Sequence, residues 1–167
     1  MNQGMIIDVL SEVRRRFYEQ IVVTIETNGT RPVKPDFAAF VRETHLVGDF
    51  CWFMSISPKL FSVSGEPNER AIKPEQIAQY LNLPLYDAQI KYVVNSNAWH
   101  ELMHVHQQIQ TACVNVQSPY TSWVMPVGAT TEAQDQVAAD IAIEAMKRGL
   151  NVAARVHCYV FGNKIGF

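Results

Sequence analysis

Residues 21–30 read IVVTIETNGT, and the reading of this stretch decides the fold. Ile21 to Ile25 are β-branched, uncharged and continuous rather than alternating, the pattern of a parallel strand buried on both faces. Glu26, Thr27, Asn28, Gly29 and Thr30 then crowd hydrogen-bonding groups onto the last turn of that strand. In α/β proteins chemistry gathers at the C-terminal ends of parallel strands, so the neighbours of this stretch matter.

Upstream, residues 1–17 put Ile6, Leu10, Val13 and Phe17 on one helical face, closed by Arg14, Arg15 and Arg16. Downstream, Pro35 and Asp36 open a helix carrying Phe37, Phe40 and Val41. DFCWFMSIS (residues 49–57) is the next apolar run, and residues 61–72 read as a long polar loop. Pro74 and Glu75 start a short helix through Ile77 and Leu81. QIKYVV (89–94) is a strand, residues 98–112 a helix, and TSWVMP (121–126) a further strand. Thr131 and Gln134 make a capping box for a helix through Val137, Ile141 and Ala145, stopped by Lys147, Arg148 and Gly149. NVAARVHCYVF (151–161) is the closing strand. One helix, four strand–helix units and a last strand predict an α/β fold with a parallel sheet covered by helices. The sheet is either open and doubly wound or part of a (β/α) barrel.

The 167 residues fit one domain, and a content of 48% hydrophobic and 18% charged residues is that of a globular protein. Fourteen basic against sixteen acidic residues, without a block of like charge, exclude the electrostatic footprint of a nucleic-acid binder. No apolar run has the roughly 18 residues of a membrane span, and MNQGMIIDVL lacks the order of a signal peptide, so a cytoplasmic protein is expected. Cys51, Cys113 and Cys158 stand 62 and 45 residues apart and read as small reduced core thiols. Trp52, Trp99 and Trp123 read as core or interface anchors, and His157 as a structural histidine.

Three of the four helix-linked strands end in polar or turn-forming groups: ETNGT (26–30), then Ser57, Pro58 and Lys59, then Met125, Pro126, Val127 and Gly128. Together with the ending RVHCYVFGNKIGF (155–167), this ordered set resembles the 7-carboxy-7-deazaguanine synthase family. These are radical S-adenosylmethionine enzymes of queuosine and 7-deazapurine biosynthesis, and the likeness runs from about residue 18 to the last residue. The resemblance implies an incomplete (β/α) barrel of the radical S-adenosylmethionine type, a 4Fe–4S cluster, S-adenosylmethionine and Mg²⁺. The lyase-type reaction it implies is radical ring contraction of 6-carboxytetrahydropterin to 7-carboxy-7-deazaguanine with loss of ammonia. Ser57, Pro58, Lys59, Met125, Pro126, Val127 and Gly128 are then expected around S-adenosylmethionine, with Glu26 and Asn28 bonding its polar atoms. The terminal carboxylate of Phe167 is expected against the pterin.

The chain departs from the family in one respect. The three clustered cysteines that hold the family's cluster, and the glycine-rich strand end that contacts the cofactor's amino acid group, have no counterpart here. The chain is therefore expected to correspond to the C-terminal part of the family, spanning residues 1–167 as one partial barrel. It is expected to need an N-terminal complementing chain or self-association, since the strand at 21–27 would otherwise leave an edge exposed. A non-catalytic nucleotide-binding remnant is the alternative outside enzymology.

HELMH (100–104) raises a rival. H-E-x-x-H is the zinc metallopeptidase signature, in which two histidines one turn apart bind zinc and the glutamate activates water. Here these would be His100, His104 and Glu101, with Glu132 or Glu144 as a third ligand. Ala98, Leu102, Val105 and Ile109 mark the buried face, and at about 100° per residue both histidines fall opposite to it. A solvated helix face is the expectation.

Overall fold

The computed structural model describes residues 2–161. The elements run α1 (Gln3–Arg16), β1 (Ile21–Thr27), α2 (Pro35–Leu46), β2 (Phe50–Ile56), α3 (Phe61–Ser64), α4 (Asn68–Ala71) and α5 (Pro74–Leu81). They continue with β3 (Asp87–Val94), α6 (Trp99–Ala112), β4 (Thr121–Pro126), α7 (Thr131–Asp135), α8 (Ala138–Lys147), β5 (Asn151–Val152) and α9 (Val156–Phe161). All strand pairs are parallel and the order is β1-β2-β3-β4-β5, so β1 and β5 are the edges of an unclosed sheet. A doubly wound sheet reverses direction partway across. This one never does, and right-handed crossovers then place the connecting helices on one face. The architecture is an arc of a (β/α) barrel.

That covered face is the core. Phe37 and Val41 of α2, Ile77 and Leu81 of α5, Leu102, Val105 and Ile109 of α6, and Ile141 and Ala145 of α8 are buried in one cluster. They meet Val23, Ile25, Trp52, Met54, Ile56, Ile90, Tyr92, Val94 and Val124 from the strands. Trp52 is fully buried, edge-on to Phe37, Phe40 and Phe50, and its indole N–H donates to Thr44 Oγ1 at 3.1 Å. The alternate residues, Val22, Thr24, Cys51, Phe53, Gln89, Lys91, Val93, Trp123 and Met125, are half-buried or exposed on the opposite face.

Several expectations are corrected. β1 is not buried on both sides, for Val22 is 69% exposed and Thr24 is exposed, while Val23 and Ile25 are buried. With only one face of the sheet covered by helices, a single apolar face suffices. The closing strand is two residues long. After it Ala153 N–H donates to Val124 O at 2.8 Å, and the chain then turns into α9. An apolar run such as VHCYVF suits helix and strand alike. Residues 61–72 are not a plain loop but hold α3 and α4, with Ala71 and Ile72 buried. The predicted helix from Thr131 is two helices, interrupted at Gln136 and Val137. Its cap is Thr130, whose hydroxyl accepts from Ala133 N–H at 3.3 Å, so Thr131 and Gln134 form no capping box. Phe17 leaves the apolar face of α1 and is 58% exposed.

Candidate functional site

The polar end of β1 is shaped by its glycine. Gly29 has φ +71°, and a Cβ there would lie 2.8 Å from Ile77 Cγ1 and 3.0 Å from Ile56 Cγ2. Only glycine fits both the backbone and the space. Around it, Gly29 N–H donates to Thr27 Oγ1 at 3.2 Å, and Thr30 donates to Asn28 Oδ1 through its N–H (3.3 Å) and its hydroxyl (2.9 Å). These bonds fold the turn back on itself. Asn28 and Glu26 are exposed and line the cleft at the strand ends.

There the strand ends enclose a cleft of about 830 Å³. It is lined by Glu26, Thr27 and Asn28 from β1 and its turn, Ser55, Ser57 and Lys59 from β2 and its exit, Lys91 and Val93 from β3, and Met125 from β4. Ala154, Arg155 and Val156 close it from beyond β5. Five of the sequence-predicted residues therefore converge: Glu26, Asn28, Ser57, Lys59 and Met125. Pro58 and Pro126 are buried behind the cleft, and Val127 and Gly128 are half-buried outside its lining. Strand pleat explains Pro126, which pairs with Val94 on the core-facing side. Phe167 and residues 162–166 lie outside the described residues.

Sequence reasoning missed the floor. Glu26, Ser55, Gln89 and Thr121 occupy one register row across β1 to β4, and Gln89 Nε2 donates to Ser55 Oγ at 2.9 Å. In the next row stands Lys91, whose ammonium is 4.0 Å from Glu26 Oε1. The available signal was the alternation of Gln89, Lys91 and Val93 with the buried Ala88, Ile90, Tyr92 and Val94. Arg155 completes the set, donating from Nη1 to Gly128 O at 3.3 Å and lying 3.2 Å from Met125 Sδ through Nε. Among the described residues three cations thus line the cleft with one carboxylate, which suits a ligand bearing an anionic group and one or more hydroxyl or amino groups.

The thiols do not fit an iron–sulfur cluster. Cys51 is half-buried on β2, whereas Cys113 and Cys158 are buried elsewhere, and burial pushes the Cys113 thiol up to about 11. Among the described residues no three His, Cys, Asp or Glu side chains are grouped to hold a metal ion. HELMH lies on α6 as its spacing predicts, with His100 and His104 exposed. Glu101 is engaged elsewhere: its carboxylate accepts from Phe61 N–H at 2.6 Å and Ser62 N–H at 3.0 Å, capping α3. Burial pushes the Glu101 carboxyl up, but the bonds from Ser62, Asn68 and Phe61 outweigh it and hold it below the usual range. Glu144 is paired with Lys147 and Arg148. Comparison with protein-family models, with curated proteins and with solved structures finds no match to this chain.

Proposed function

We propose that the cleft binds S-adenosylmethionine and that the chain is the cofactor-holding part of a 7-carboxy-7-deazaguanine synthase-type enzyme. The observation that carries this reading is the convergence of Glu26, Asn28, Ser57, Lys59 and Met125, from three strand ends, on one cleft. Lys59 and Arg155 pair with the cofactor's carboxylate, Glu26 takes its ammonium or ribose hydroxyls, and Ser57 and Asn28 add hydrogen bonds. Met125 supplies a polarizable apolar surface for the adenine. When bound, the cofactor supplies a sulfonium centre from which a reaction can start. In the family that reaction is ring contraction of a carboxylated pterin, and Mg²⁺ attends it.

The cluster is not assigned to this chain, whose thiols are dispersed. A complementing chain would carry it. The free edge of β1 supports this, for beside it runs an apolar groove of about 380 Å³ lined by Met5, Ile6, Val9, Leu10, Val23 and Ile25, among others. Among the described residues no helix is long and apolar enough to cross a membrane, and the setting we propose is the cytoplasm.

Isothermal titration of the purified chain with S-adenosylmethionine tests the reading. Saturable binding is expected, weakened about tenfold or more in Lys59→Met, since a charge-assisted bond contributes roughly 1.5–3 kcal/mol. Absence of binding by the folded wild type would overturn it.

A further inference from the structure

We propose that Gln134 is a positioning residue of this cleft, a buried clamp that fixes the turn after β4 so that Met125 faces the ligand. The inference rests on the cleft being an S-adenosylmethionine site. Its grounds lie in backbone accounting. A strand in the middle of a sheet satisfies its carbonyls through its neighbours. On its β5 side, among the described residues, β4 is paired at Trp123 and Val124 alone, so the carbonyls of the turn beyond need other donors.

Gln134 provides them. It is fully buried, and its one NH₂ group donates to Pro126 O at 3.1 Å and to Gly128 O at 2.8 Å. Two carbonyls two residues apart are thereby drawn to one nitrogen, which sets the curvature of the turn. The other end of the carboxamide shows what holds the side chain: Gln134 Oε1 is buried without a hydrogen-bond partner among the described residues. Reversing the amide would aim that oxygen at two carbonyl oxygens, so the pair of acceptors dictates the orientation.

The turn has little freedom to answer otherwise. Gly128 has φ +134°, and a Cβ there would meet Ala133 Cβ at 3.1 Å. Val127 N–H is already committed to Val94 O at 2.8 Å. From the cleft side Arg155 grips the same Gly128 carbonyl and touches Met125 Sδ. Gln134 holds the turn from beneath and Arg155 from above, and the Met125 thioether is set between that grip and the ligand space.

The test uses the whole chain with two variants, Gln134→Met and Gln134→Glu. The first keeps the length and removes both donors. The second keeps the shape and has a donor only when its carboxyl is protonated. Hydrogen–deuterium exchange over residues 125–130 reads the clamp, and calorimetric S-adenosylmethionine binding reads its consequence. Expected for Gln134→Met are faster exchange confined to the turn and at least tenfold weaker binding. Gln134→Glu should bind weakly at pH 8 and recover part of its affinity at pH 6, and it carries the test alone if Gln134→Met does not fold. A space-filling role would leave exchange in the turn unchanged, or binding within twofold of wild type in both variants, and either result overturns the clamp. Wild-type protein that binds no S-adenosylmethionine overturns the role toward that cofactor. Altered exchange in Gln134→Met would then show that the reading of the cleft, and not the hydrogen-bonded clamp, had failed.

Discussion

The two faces of the one sheet follow different rules. On the helix-covered face Val23, Trp52, Met54, Ile90, Tyr92 and Val124 are closely packed and almost wholly apolar. On the other face the intervening residues include Thr24, Glu26, Ser55, Gln89 and Lys91, each from a strand that contributes equally to the core. Parallel sheets are ordinarily covered on both sides. Here alternation lets a strand supply stability through every second residue and a ligand surface through the rest. Substitutions on the two faces should accordingly differ in kind: loss of stability on one, loss of binding with little change in stability on the other.

The largest expected effect is Trp52→Ala. Removing a fully buried indole and its bond to Thr44 should cost about 3–5 kcal/mol in denaturant unfolding. A loss below about 1 kcal/mol would mean that the covered face is not the core. A smaller effect concerns acid. His106 is buried on α6, and its Nδ1 shares a hydrogen bond with the Tyr92 hydroxyl at 3.3 Å. Burial lowers its pKa in the folded protein, so between that value and the unfolded value near 6.5 the unfolded chain binds more protons. The stabilisation from keeping the ring neutral is complete above that unfolded value and declines as pH falls through it. The melting temperature of the wild type should therefore drop from pH 7 to pH 5.5 more steeply than that of His106→Gln. Equal slopes would remove His106 from the account. The smallest effect is expected from Val22→Thr on the open face, within about 0.5 kcal/mol of wild type. A large loss there would show that this face is covered in solution.

Much of the architecture is legible in the sequence because local signals agree. Pro35 and Pro74 open helices at their first turns, and the β-branched and aromatic runs of β1 to β4 lie between helical periods. The converging strand ends are legible for the same reason, since each is a short polar stretch closing an apolar run. What escapes is everything that depends on register. That Ser55 shares a row with Glu26 and Gln89 follows from how strands align, a tertiary fact with no local mark. Gln134 deceives in a related way. Three residues beyond a threonine it fits a capping box, yet the helix begins one residue earlier than supposed and the side chain reaches across to the turn. The reading of residues 155–161 as strand fails because a short apolar run carries no period, and contacts to residues 125, 128 and 131 bend it into a helix.

The strictly sequential order of the strands has a consequence for how the molecule is made. Paired residues in adjacent strands lie 28 to 34 positions apart along the chain, from Trp123 with Asn151 to Phe53 with Asp87. No pairing has to wait for the two ends of the chain to meet. Each closure has a similar, moderate entropic cost, and each new strand finds its template already laid down by the one before. Growth by accretion of this kind is compatible with folding during synthesis, with β1 and β2 joined before β4 has left the ribosome.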